Sequence, residues 1–282
     1  RMTDHRPSPE EEQTTANEER TVSNGRYLYC VVDTTSSESA TLSTTGVDDN
    51  PVYVVEADGV GAVVHDCETV YETEDLEQVK RWLVTHQQVV DAASDAFGTP
   101  LPMRFDTVLE GGDASIERWL EDHYEGFRDE LASFAGVWEY RINLLWDSAP
   151  FEETIADRDD RLRELRQRQQ QSGAGKKFLL EKQSDQRLQE LKRERRTELA
   201  DQLKEAITPV VNDLTEQDTN TPLQDEHSSI EKEQIVRFAV LADEDDETAL
   251  GDRLDTIVEH EGVEIRFTGP WPPYTFAPDI GK

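Results

Sequence analysis

Cysteine, methionine and lysine are scarce in this 282-residue chain: two cysteines, two methionines and eight lysines, the other 21 cations being arginine. Cys30 and Cys67 form no CxxC pair and have no zinc-ligand spacing, so no disulfide framework or zinc module is built on them. Both fall in apolar, strand-like runs that suit small core residues in a reducing compartment. No apolar stretch approaches the length of about 18 residues that reads as a membrane span, and RMTDHRPSPEEEQTTANEER at the start has no hydrophobic segment for a signal peptide.

Scarce lysine is matched by excess acid. The chain has 62 Asp and Glu against 29 Lys and Arg, a formal charge of −33. Such a field repels nucleic acid and anionic membrane, which makes both poor partners. It fits a cytoplasmic protein in near-saturating salt, where a Debye length of about 3 Å screens self-repulsion. The charge is uneven: residues 158–204 hold 14 Lys or Arg against 9 acids, a local +5 in a remainder of −38.

Residues 1 to about 24 read as a disordered acidic tail. RYLYCVVD (26–33) reads as a central strand buried on both faces. In VYVVEADGVGAVVHD, Asp58-Gly59 separates two strands of a hairpin. From Glu74 the period changes to threes and fours through Leu76, Val79, Leu83, His86, Val89, Val90, Ala93 and Phe97, a helix ended by Gly98 and Pro100. MRFDTVL (103–109) reads as a strand. Asp113 is then placed to cap one helix carrying Ile116, Trp119, Leu120, Tyr124, Phe127, Leu131 and Phe134. VWEYRINLLW (137–146) alternates, with Trp138, Tyr140, Ile142, Leu144 and Trp146 on one face. Residues 25–147 therefore read as a ferredoxin-like α+β domain, an antiparallel sheet with helices on one face.

Residues 148–282 read as a second, helix-rich α+β domain. Its long helix breaks at Ser172-Gly173-Ala174-Gly175 and runs through Leu188, Leu191, Leu199, Leu203, Ile207, Val210, Val211 and Leu214, a stripe too narrow to stand alone. A polar linker (215–232) leads to a β-α-β ending: QIVRFAVLA (234–242), a helix around Leu250 and Leu254, and VEIRFTG (263–269).

Chemistry is sparse. His65-Asp66-Cys67 holds a base, an acid and a nucleophile, but neighbours in a strand point to opposite faces, so the bland reading is a strand end with one outward His. The other histidines show no HxxxH or HExxH spacing. The Gly-Lys break at Lys176-Lys177 lacks the GxxxxGK[ST] pattern of a phosphate cradle. Arg193, Arg195 and Arg196 lie on the cationic helix, which is either laced with its own salt bridges or a docking surface for an acidic protein. In TGPWPPYTFAP (268–278), three prolines lock an extended ribbon whose Trp271, Tyr274 and Phe276 either bind a partner or seal the chain's own core.

Four segments carry a family likeness. LPMRFDTVL (101–109), VWEYRINLLW (137–146), SGAGKKFLLEK (172–182) and TGPWPPYTFAP (268–278), in this order and spacing, resemble the hallmark segments of the gas vesicle protein F/L family. The likeness extends from about Arg26 to Pro278, GPWPPY being its most specific part, and the acidity suggests a haloarchaeal member of the L branch. Asp106 departs from the pattern, standing where glycine is expected. The resemblance implies two α+β domains, the first ferredoxin-like, and an accessory or minor structural protein of gas vesicle assembly. Its partners would be the small hydrophobic shell protein and other accessory proteins. It implies no enzyme, catalytic residue, metal or cofactor. The alternative is a nucleotide- or RNA-binding enzyme using the Gly-Lys break, and a third reading is a halophilic scaffold unrelated to gas vesicles.

Overall fold

The computed structural model describes residues 21–35, 42–218 and 232–278. The apolar run becomes the middle of β1 (Thr21–Asp33), where residues 27–32 are all fully buried. β1 begins inside the stretch expected to be a tail; residues 1–20 of that stretch lie outside the described residues. β2 (Tyr53–Ala57) and β3 (Val60–Thr69) form the expected hairpin, with Asp58 (φ 51°) and Gly59 (φ 85°) supplying the two left-handed residues of a tight turn.

α1 (Leu76–Phe97) is capped by Asp75, whose carboxyl accepts from the Glu77 N–H at 2.9 Å, and ends at Gly98 (φ 84°). The strand expected over 103–109 is instead two short pieces, β4 (Leu101–Pro102) and β5 (Val108–Leu109), either side of a turn. The turn forms because Tyr27 Oη takes the Asp106 N–H at 3.1 Å while the Asp106 carboxyl takes the Tyr71 N–H at 3.0 Å. Asp106 adopts φ 64°, so the position does demand the conformation glycine favours, and Asp is one of the side chains that tolerates it. The sheet order is β2-β3-β1-β4, with β5 also beside β1.

The helix expected over 113–134 is two, α2 (Asp113–Asp122) and α3 (Tyr124–Phe134), broken at His123. Gly112 holds the cap position and Asp113 is the first helical residue, its carboxyl 2.6 Å from Arg26 Nε. The break lets both apolar stripes, Ile116-Trp119-Leu120 and Phe127-Leu131-Phe134, reach one cluster with Leu28, Val31, Val60 and Val64. On the other side of the sheet, Val89, Val90 and Ala93 of α1 pack on Tyr27, Tyr29, Val32 and Val63. Helices thus cover both faces, which corrects the ferredoxin-like expectation of one covered face. A strand as apolar as β1 needs both covers.

β6 (Val137–Trp146), expected to close the first sheet, lies in a second antiparallel sheet of order β7-β8-β6-β9. Between β6 and β7 come α4 (Ala149–Arg158), α5 (Asp160–Gln170) and α6 (Ala174–Ile207). β7 (Asp213–Gln217), β8 (Glu233–Asp243), α7 (Glu247–Val258) and β9 (Val263–Trp271) complete the chain. Alternation in β6 placed its faces correctly: Tyr140, Ile142, Leu144 and Trp146 lie under α6 and α7 with Val236, Phe238 and Val240. It could not name the neighbours, because β6 pairs with strands roughly 90 to 130 residues further along the chain. α6 stops at Ile207 before a short 3₁₀ turn containing Pro209, so Leu214 is a strand residue rather than helical. Of the expected linker, 215–217 belong to β7 and 219–231 lie outside the described residues. The α+β class with antiparallel sheets stands, and the sheets share one core: the cluster under α2 and α3 includes Val137, Leu241 and Phe276.

Candidate functional site

Three places could carry function: the C-terminal arm, the α5–α6 hairpin and a buried ring cluster. The arm begins where β9 leaves β6. Glu139 pairs with Trp271 but Arg141 with Thr268, so β9 bulges there around Gly269 (φ 138°). A Cβ on Gly269 would lie 2.7 Å from the Tyr140 ring, which makes glycine obligatory. Pro272 and Pro273 are buried, and the Ala277 N–H returns to the Pro273 carbonyl at 2.7 Å, turning the arm over the sheet face that has no helices.

Glu139 is fully buried beneath this turn. Its carboxyl accepts from the Thr275 N–H at 2.6 Å, the Thr275 hydroxyl at 2.9 Å and Arg141 Nε at 3.2 Å. Three donors offset the cost of removing it from water. Phe276 packs into the core shared by the two sheets. Burial pushes the Tyr274 hydroxyl up from its ordinary pKa, with Cys30 and Asp91 of the first unit and Arg141 and Glu139 of the second acting on it. Trp271, Tyr274 and Phe276 are all half-buried, so the arm spans both units.

On α6 the arginines divide. Arg196 pairs with Glu233 of β8, and Arg195 with Glu198 at 2.6 Å. Arg193 is exposed with no ion pair among the described residues. Lys192 reaches Glu152 of α4 at 2.5 Å and Arg187 reaches Asp159, the cap of α5, at 2.9 Å, each holding its carboxyl partner below the usual range. The cations therefore turn inward, and the exposed face of the C-terminal half is acidic, formed by Glu190, Glu194, Glu198, Asp201 and Glu205 around Arg193. The positive local charge read from sequence does not make a positive surface here.

The His65-Asp66-Cys67 triplet splits as strand geometry requires: Asp66 takes the Tyr53 hydroxyl at 2.7 Å on one face, while His65 and Cys67 join the cluster on the other. His65 is not outward as expected. It is fully buried, stacked on Tyr27, and bonded to Tyr29 Oη at 2.7 Å and Tyr71 Oη at 3.0 Å. His86 meets Tyr27 Oη at 2.8 Å and the Met103 carbonyl oxygen at 3.2 Å. Burial lowers both imidazoles to about 4, so they stay neutral, and it raises the Cys67 thiol. Such groups brace a fold better than they catalyse. Both cysteines are free and buried. Among the described residues no cluster of His, Cys, Asp and Glu is placed to hold a metal, and no helix is long and apolar enough to cross a membrane. Lys176 and Lys177 open α6 after another helix, not after the strand that a phosphate cradle follows.

Residues 25–278 match the family model described as Gas vesicle synthesis protein GvpL/GvpF. The chain belongs to this family. It is 55% identical to gas vesicle protein L of Haloferax mediterranei, over 94% of this chain and 91% of that protein. It is 59% identical to gas vesicle protein L2 of Halobacterium salinarum, over 92% and 93%. The crystal structure of gas vesicle protein GvpF from Anabaena sp. PCC7120 shares the fold, with a TM-score of 0.65 at 21% identity, covering 91% of this chain and 97% of that one. The haloarchaeal relatives fit the acid-rich, lysine-poor composition.

Sequence reasoning missed two features. Phe178 and Leu179 are exposed beside the lysines at the hairpin tip, though the run KKFLL within a stretch holding three of the eight lysines was a visible signal. The ring cluster was signalled by Tyr27 and Tyr29 in an otherwise aliphatic strand.

Proposed function

We propose that this protein is an accessory or minor structural component of gas vesicle assembly rather than an enzyme, holding the small hydrophobic shell protein and other accessory proteins in the cytoplasm at the growing vesicle. The match of nearly the whole described chain to the gas vesicle family carries this reading. The geometry supports it through surfaces that the fold leaves unspent. β7 and β9 end their sheet and present open backbone to a strand from a partner. Arg193 projects from an acidic helical face, free to meet a carboxylate, while Arg195 and Arg196 serve the chain's own ion pairs. We assign Phe276, with Trp271 and Tyr274, mainly to bracing the two sheets, the exposed edges of the last two being available to a partner.

Co-purification tests the reading. Tagged protein in about 1 M salt, where only charges in contact still attract, is expected to retain the shell protein and other accessory proteins. Arg193→Glu should reduce retention without changing the melting temperature. Wild-type protein that retains neither class of partner contradicts the proposal.

A further inference from the structure

Five large apolar side chains are exposed among the described residues: Leu76, Val84, Phe178, Leu179 and Val258. Four of them stand in two places of opposite local charge. The first is the tip of the α5–α6 hairpin, where Phe178 is 62% and Leu179 58% exposed. Residues 166–182 carry five cations and one acid. Lys182 Nζ lies 5.6 Å from the centre of the Phe178 ring, and Lys176, Lys177 and Lys182 form no ion pair among the described residues. Elsewhere on α6 the cations Arg187, Lys192, Arg195 and Arg196 are bound by the chain's own carboxylates. Among the described residues Arg193 also lacks an ion pair but stands among carboxylates, so the unpaired lysines of the helix that cluster without such neighbours are those of the tip.

The second is the first part of α1, where Leu76 is 74% and Val84 56% exposed, eight positions or about 12 Å apart along the helix. Glu72, Glu74, Asp75 and Glu77 flank Leu76 in the sequence. The two nearby cations are already engaged, Lys80 with Glu77 at 3.6 Å and Arg81 with Asp75 at 4.0 Å. One patch is thus apolar and basic, the other apolar and acidic, and each is exposed in the single molecule.

We propose that these patches are the two halves of a head-to-tail contact between copies of this chain, the hairpin tip of one copy seating on the α1 patch of the next. In salt that screens beyond about 3 Å, ion pairs count only at contact, whereas apolar burial is not screened. Phe178 and Leu179 against Leu76 and Val84 supply the attraction, and the lysines against Glu72 and Glu74 set the orientation. A second copy is the favoured occupant because both complementary surfaces stand on this one chain. Such a contact joins different patches, so it propagates as a chain or closes only as a ring.

Sedimentation velocity in about 1 M salt over a range of concentrations tests this. Wild-type protein is expected to form species that grow past the dimer as concentration rises. Phe178→Ala/Leu179→Ala and Leu76→Ala/Val84→Ala should each fold normally, since all four side chains are exposed, and each should lose at least tenfold in association constant. Mixing the two variants should restore one 1:1 complex that grows no further, because one supplies only the tip and the other only the α1 patch. Wild-type protein that stays monomeric throughout overturns the proposal. So does a wild type whose association survives in both variants, or variants that fail to complement on mixing.

Discussion

The two sheets bury polar groups in different ways. In the first, helices cover both faces, and the polar groups inside are neutral rings and hydroxyls bonded to one another: Tyr27 to His86, Tyr29 to His65, His65 to Tyr71. In the second, helices cover one face, and the other hides the Glu139 carboxyl beneath the arm, where Thr275 and Arg141 supply its donors. A network sealed by helices stays stable while it stays uncharged. A carboxyl can be hidden where a turn brings backbone N–H groups to it. Different insults should therefore weaken the two sheets, although they unfold together.

The largest effects test whether the sheets unfold together. Phe127 under the first and Phe238 in the second are almost completely buried, and changing either to Ala should cost about 3–5 kcal/mol. Because Val137 and Leu241 lie in the cluster with Phe127, both variants should lower one common midpoint in a urea titration. Two separated transitions would break the comparison into independent domains.

Acid separates the two kinds of burial. His65 and His86 have folded pKa values of about 4 against 6.5 in the unfolded chain. Between these values the unfolded state binds more protons, so stability is complete above pH 6.5 and falls as pH drops toward 4, by up to about 3 kcal/mol for each histidine. Melting at fixed high salt should follow this slope, and His65→Gln should roughly halve it. An unchanged slope would remove the ring cluster from the account.

Glu139→Ala leaves the Thr275 N–H and hydroxyl without their acceptor and should cost about 1–3 kcal/mol, with Glu139→Gln losing less. The smallest effect is expected at Arg196→Ala, since its pair with Glu233 is substantially exposed: at most about 1 kcal/mol. Thermal melts of both variants rank a buried polar contact against a surface one.

Local pattern made much of this visible in advance. The apolar run 27–32 announced a strand covered on both faces, alternation in 137–146 named the face that Tyr140 and Ile142 share, and Asp58-Gly59 marked its turn. What pattern lacks is a record of distant neighbours. Nothing local in β6 says that it lies between β8 and β9, so the first unit was given a strand that belongs to the second. Charge misled for a related reason: composition counts the arginines of α6 but does not show that Arg196 and Lys192 point at Glu233 and Glu152. Asp106 shows the converse, since its backbone holds the conformation that the missing glycine would have taken.

The central structural claim is that the arm joins the two sheets into one cooperative unit, and Phe276→Ala tests it most directly. Urea unfolding would be followed in parallel by the fluorescence of Trp119, in the first unit, and Trp146, in the second, each retained in turn beside Trp271, which is kept so that the arm stays intact. Coincident transitions are expected with Phe276 present and separated ones without it. Transitions that are already separate in the parent protein, or that stay coincident at an unchanged midpoint in Phe276→Ala, would contradict it.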